Sequence, residues 1–323
     1  MPTRLRIATV QFQHRAGDKH YNLSRIADLA RRARSCGAAL VLMPEMCISG
    51  YWHIPGLDAE GLARLAEPGD GPSLREVATL ATLLGIAIGV GWLETAEDGR
   101  FYNAYRLCLP DGSSHTHRKL HAFEHLLIHS GQGYTVFDTP WGVRMAILIC
   151  WDNNLVENAR ACALMGAQVL LAPHQTGGTQ SRSPHGMQRI PVELWQRRAA
   201  DPEAVRRAFA GPNGKAWLMR WLPARAHDNG MFVVFSNGVG RDEDELRTGN
   251  AMILDPYGRV VAESTAIDDD VVIADLDLDL VAGSSGQRWM TGRRPELYHL
   301  LAERRGDERS AHATRFDLDE PTD

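Results

Sequence analysis

Residues 143–172 read VRMAILICWDNNLVENARACALMGAQVLLA. The run 143–149 is short, apolar and β-branched enough for a buried strand. Residues 154–165 follow with helical character, and Gly166 closes that helix before a second apolar strand at 169–172. Strand, helix and strand in thirty residues mark an α/β protein. The same alternation extends in both directions. Upstream, 6–12 reads as a strand, and 22–34 carries Leu23, Ile26, Ala27 and Ala30 at helical spacing. Gly37 stops that helix before a buried strand at 39–43. Ser73 with Glu76 forms a capping box for a helix that Gly85 ends. Residues 102–109 and 114–118 flank the turn Pro110-Asp111-Gly112 as a hairpin. Downstream come helices at 203–209 and 215–227, a strand at 231–237, and two strands about the turn 255–258.

Length and composition describe a globular chain. It has 323 residues, 44% hydrophobic and 23% charged, with a net charge of −5. No global positive field draws nucleic acid or an anionic membrane, and the apolar runs are too short to span a bilayer. The first nine residues look strand-like and lack a signal-peptide core, so a cytoplasmic location is expected. The five cysteines form no CxxC pair and no zinc-like spacing, which fits free thiols. A single domain over 1–323 is expected, with its core at about 5–280. Residues 175–213 form a long insertion, and 293–323 a polar tail that frays or packs on another subunit. A homodimer or higher homo-oligomer is expected.

Three ionisable residues stand at predicted strand ends, where α/β sheets assemble sites. Glu45 follows four apolar residues and Pro44, Lys119 follows the run 114–118, and Cys150 ends 145–149 before a helix. A helix start lowers a thiol's pKa, so Cys150 alone among the five has a setting that favours thiolate. Buried carboxylates need a partner or a task. Phosphate-loop, dinucleotide and GxSxG motifs are absent.

The segments Met43-Pro44-Glu45 with Gly50-Tyr51, His117-Arg118-Lys119-Leu120-His121, and Ile149-Cys150-Trp151-Asp152 with Glu157 and Arg160 resemble the three signatures of the nitrilase superfamily, in its order and separations. The resemblance covers about 5–278. Glu124, with Ile128 and Gly131 after it, resembles the family's second glutamate, although Leu127 stands where an aromatic is usual. The resemblance implies a four-layer αββα sandwich and a cysteine-nucleophile carbon–nitrogen hydrolase needing no metal or organic cofactor. It implies Glu45 as general base, Lys119 and the Trp151 N–H as oxyanion donors, and Glu124 as the group that positions Lys119 or the substrate nitrogen. Asp152, where nitrilases carry glutamate, favours an amide or N-carbamoyl substrate. Val156 replaces a proline frequent before Glu157. Asn153 and Asn154 occupy the places of paired arginines in carbamoyl-D-amino-acid hydrolases, so a neutral scaffold is expected. Tyr51, Trp151, Asn154, His174 and Gln175 are the expected pocket residues; Arg182 or Arg189 could reach a substrate carboxylate from the insertion, but a surface position is expected for both. Other readings stay open: a nitrile hydrolase, an amide-forming acyltransferase, a non-catalytic scaffold, and a Cys–His dyad using His117 or His121.

Overall fold

A computed structural model describes residues 4–178, 183–316 and 318; Arg182 lies outside them. One hydrogen-bonded sheet runs in the order Ser114–Arg118, Phe101–Cys108, Ala87–Thr95, Leu40–Leu42, Arg4–Phe12, Phe232–Asp242, Val169–Pro173, Arg144–Ile147 and Thr135–Asp138. Asp270–Asp277 pairs antiparallel along Arg4–Phe12, and Met252–Leu254 along Phe232–Asp242. Among the described residues, two register pairs, Gln11 with Asn237 and Phe12 with Gly238, join the two halves of the sheet.

The period-two pattern of the strands shows how those halves stack. Leu40 and Leu42 meet Met145, Ile147, Val169, Leu171, Phe232 and Val234 in one apolar layer between the half-sheets. The alternate residues Val41 and Met43 pack outward on Ile26, Leu29, Leu74 and Val77 of the helices Lys19–Ser35 and Pro72–Leu84. On the other side Ala146, Leu148, Leu170 and Phe235 pack on Ala159 and Cys162 of Val156–Leu164 and on Leu222 and Ala226 of Leu222–His227. Three apolar layers separate four structural ones, helix–sheet–sheet–helix, as the resemblance implies.

Local details depart from the expected elements. The capping box does not form. Gly71 is the cap residue, and Glu67 from the preceding loop accepts from the Ser73 N–H (3.0 Å) and hydroxyl (2.8 Å) instead. The helix expected over 215–227 is two pieces, Lys215–Leu218 and Leu222–His227, the second restarting at Pro223, whose ring cannot continue a helix. After Cys150 comes a 3₁₀ turn, Cys150–Asn154, before the helix Val156–Leu164. The region 175–213 holds helices Val192–Gln196 and Pro202–Ala210, whose Trp195, Val205 and Phe209 build a small core with Val239 and Leu246. The C-terminal segment returns to its own chain: in Ala311–Phe316, His312 Nδ1 lies 2.9 Å from the Phe123 carbonyl oxygen.

Candidate active site

The strands Ser114–Arg118, Leu40–Leu42, Val169–Pro173 and Arg144–Ile147 all point the same way through their pairings, so their C-terminal ends share one rim. That rim brings Lys119, Glu45, Gln175 and Cys150 together. Two glycines allow the close approach. A Cβ on Gly91 would stand 2.3 Å from the Met46 nitrogen, so only glycine lets the turn after Glu45 lie on that strand. A Cβ on Gly131 would stand 2.3 Å from the Arg118 carbonyl oxygen, where the Gly131 N–H donates to Lys119 O.

Glu45, Lys119 and Glu124 are wholly buried. Lys119 Nζ donates to Glu45 Oε1 at 2.7 Å and to Glu124 Oε1. Asn103 Nδ2 donates to the same two oxygens, at 2.7 and 2.9 Å. Tyr51 and the Phe123 N–H complete Glu124, at 3.3 and 3.0 Å. Glu45 Oε2 has no hydrogen-bond partner among the described residues. Asn103 escaped sequence reading. The signal was present, because the hairpin pairs Ala104 with Arg118 and so sets Asn103 beside Lys119.

The electrostatics follow from burial around one ammonium. Burial raises the Glu45 carboxyl, Lys119 restrains it and Glu124 pushes it further, to about 7. For Glu124 the same burial is outweighed by Lys119, and its pKa falls below the ordinary carboxylate value. Burial alone would lower Lys119, yet the two carboxylates raise it, so it remains an ammonium.

Cys150 is half-buried, with φ of +48°, a left-handed conformation that side chains rarely adopt. Burial and then the Glu45 carboxylate push its thiol up to about 12. This reverses the expected thiolate. A 3₁₀ turn brings little aligned dipole, and a neighbouring carboxylate opposes a second negative charge. Of the five cysteines, Cys36 is exposed and Cys150 half-buried, the other three being buried.

Asp152 does not face the pocket. It is buried, accepting from the N–H groups of Ile149, Leu120 and His121 at 3.1, 3.1 and 2.9 Å, and facing His117 and His121. It therefore ties the Lys119 segment to the turn that begins at Cys150. Both histidines address Asp152, which leaves the Cys–His dyad without support. Asn153 is also structural, donating to Leu148 O at 2.8 Å and contacting His174. His174, expected at the pocket, is buried against Phe235 and Trp221, and burial pushes its pKa down to about 3. Arg225, missed in the sequence, donates to the Asn153 and Asn154 carbonyls at 2.6 and 2.8 Å. Arg225→Ala should lower urea-unfolding stability by about 1–3 kcal/mol, since a buried carbonyl loses its donor, and should lower kcat with it. Unchanged stability would show that the turn holds without this clamp.

A cavity of about 530 Å³ opens over Cys150, lined by Tyr51, Trp151, Asn154 and Gln175 as expected, and also by Glu245, Arg247 and Arg315. Gln175 Nε2 donates to the Glu45 carbonyl at 2.8 Å. Thr176, Ser183 and Met187 bring the 175–213 region to the cavity wall.

The profile of the carbon–nitrogen hydrolase family matches residues 6–284. An (R)-stereoselective amidase from Pseudomonas sp. is 31% identical over 277 residues, 85% of this chain and 86% of that one. An N-carbamoylputrescine amidase from Arabidopsis thaliana is 27% identical, covering 91% and 94%. Among solved structures, a double mutant of the amidase from Nesterenkonia sp. AN1 in complex with acrylamide superposes with a TM-score of 0.68 at 21% identity, over 93% of this chain and 97% of that one.

Proposed function

The chain belongs to the carbon–nitrogen hydrolase family, and from that premise we propose that Cys150, Glu45, Lys119 and Glu124 hydrolyse the C–N bond of a small amide or N-carbamoyl compound. The carrying observation is the asymmetry of Glu45: Oε1 is held by Lys119 and Asn103, while Oε2 is unpartnered and available to a proton. The relatives named as amidase and carbamoyl amidase support the substrate class.

In this reading the sulfur keeps its proton until attack. Glu45 Oε2 takes it as Sγ adds to the carbonyl carbon. The oxygen becomes an alkoxide, stabilised by the Lys119 ammonium and the Trp151 N–H. As the C–N bond breaks, Glu45 returns the proton to the leaving nitrogen, and ammonia or an amine departs from a thioester. Glu45 then deprotonates water, which adds to the thioester. The tetrahedral adduct expels sulfur, and the proton returns to Cys150. Glu124 and Asn103 hold Lys119 and Glu45 in register throughout. The direct test is release of ammonia from a primary amide beside its matched nitrile. Faster turnover of the amide supports the proposal, and turnover of the nitrile alone overturns it.

The pH dependence has a defined sign. The base works as carboxylate, so protonation near pH 7 removes it, while the thiol stays protonated across the neutral range. For an uncharged amide, kcat/KM should fall about tenfold per unit below pH 7, with the fold retained by circular dichroism. A rate that rises toward acid would contradict Glu45 as base.

A further inference from the structure

A chain of hydrogen bonds that passes through a buried histidine ends on the base. The strands Arg4–Phe12 and Phe232–Asp242 run parallel to Leu40–Leu42 and Val169–Pro173, so the residues at their C-terminal ends gather on the rim that carries Glu45. His14 lies just past the first, Asp242 ends the second, and Gln175 follows Val169–Pro173. All three are buried. His14 Nε2 lies 3.1 Å from Asp242 Oδ1, and His14 Nδ1 lies 3.3 Å from Gln175 Nε2. The Gln175 amide in turn donates to the main-chain carbonyl of Glu45 at 2.8 Å. Asp242 is fixed from the other side by Arg247 Nε at 2.9 Å and by the Trp52 N–H at 3.3 Å.

These partners assign the protons. Only a donor can stand 2.8 Å from the Glu45 carbonyl oxygen, so the near atom of the amide is Nε2 and not Oε1. That nitrogen also faces His14 Nδ1, which must therefore accept, and the imidazole proton sits on Nε2 and is given to Asp242. Gln175 Oε1 is left buried without a hydrogen-bond partner among the described residues, packed where a Cβ on Gly238 would overlap it. An orphaned oxygen is costly, so the two bonds made by Nε2 decide how the amide is turned. Gln175 also meets the nucleophile through its main chain. Its N–H faces the Cys150 sulfur, and its carbonyl is held by Arg247 Nη1 at 2.7 Å. We infer that His14 is a positioning residue for the base: Asp242 sets its tautomer, the tautomer turns the Gln175 amide, and the amide holds the Glu45 main chain in line with Cys150. His14 is not among the described residues that line the cavity, so it acts through Gln175 without touching substrate. This deepens the hydrolytic reading above and rests on it for the part played by Glu45.

Two substitutions separate the two sides of the ring. An asparagine amide reaches the place of Nδ1 and can accept from Gln175, whereas a glutamine amide reaches the place of Nε2 and can donate to Asp242. On the full-length protein with pentanamide, His14→Leu should lower kcat at least about tenfold, since small misplacements of a reacting group are this costly. His14→Asn should recover most of that loss and His14→Gln little of it. The dissociation constant of pentanamide, measured by calorimetry in the Cys150→Ala background, should move by less than about twofold on adding His14→Leu, because the lost interaction serves the chemical step. Alkylation of Cys150 by iodoacetamide, in which sulfur displaces iodide and Glu45 takes the thiol proton, gives a readout independent of turnover. Followed by peptide mass spectrometry, it should slow at least about tenfold in His14→Leu and recover in His14→Asn, with Cys36 in the same sample labelled at the wild-type rate. If thermal unfolding shows that His14→Leu does not fold, Gln175→Met, which keeps the length and removes the amide, takes its place with the same expected losses in kcat and labelling. Undiminished kcat and Cys150 labelling in the variant, or recovery by His14→Gln and not by His14→Asn, overturns the positioning role and leaves the hydrolytic reading standing. If Cys150 labelling shows the loss and the recovery while the wild-type protein hydrolyses no primary amide, the positioning role stands and the hydrolytic reading falls.

Discussion

Cys150→Ala abolishes turnover and leaves the fold in place. The substitution keeps Cβ and removes one sulfur from a half-buried position at the cavity. The turn it begins is held by other groups: Asn153 on Leu148 O, Arg225 on the Asn153 carbonyl, and Asp152 on Ile149 N–H. Stability should therefore move by less than about 1 kcal/mol. The rate should fall by at least about three orders of magnitude, because the covalent route is lost. Residual activity above about a hundredth of wild type would require a different nucleophile. The other four cysteines offer none in reach of this cavity: Cys36 is on the surface, and Cys47, Cys108 and Cys162 are buried in packing.

Lys119→Ala should damage both rate and stability, and its stability effect should depend on pH. Lys119 is the cation between Glu45 and Glu124, all three without solvent exposure. Removing it leaves two carboxylates bonded through one Asn103 amide. Breaking a buried charge group in this way costs about 3–5 kcal/mol. Without the ammonium, both carboxyls have folded-state pKa values above their unfolded ones. A raised carboxyl pKa means that the folded state binds more protons, so stability is lost as pH rises. The destabilisation measured by urea unfolding should be larger at pH 8 than at pH 5. Lys119→Met, which restores bulk but not charge, should show the same pH trend. A loss that is equal at both pH values would mean that the ammonium does not neutralise this pair. Turnover should fall by about a thousandfold, and combining Lys119→Ala with Cys150→Ala should add little, since the groups act as a unit.

Much of this site was legible because it depends on strand ends. Apolar runs followed by Glu45, Lys119 and Cys150 are local patterns, and the sheet carries those ends to one rim. The hairpin about Pro110-Asp111-Gly112 even encodes the Asn103–Lys119 neighbourhood, although Asn103 was not singled out. What was misread depends on geometry beyond the local pattern. Cys150 stands where the pattern predicts a helix start, but a five-residue 3₁₀ turn beginning at Cys150 itself comes before the helix, and the Glu45 carboxylate raises its thiol. His174 follows its strand as a pocket residue would, yet its ring packs inward on Phe235. Arg247 and Arg315 lie sixty-eight residues apart in the sequence, and no periodicity announces that a polar tail returns to the cavity of its own chain.

The central claim is that Cys150 carries the acyl group between the two halves of the reaction. It is tested by rapid acid quench of the Glu45→Gln protein during reaction with a primary amide, followed by peptide mass spectrometry. Loss of the base slows water attack on the thioester, so the acyl mass increment should accumulate on the peptide containing Cys150, absent in Cys150→Ala. Hydrolysis of the amide by the wild-type protein with no acyl increment on Cys150 in either protein, or with the increment on another residue, would contradict the account.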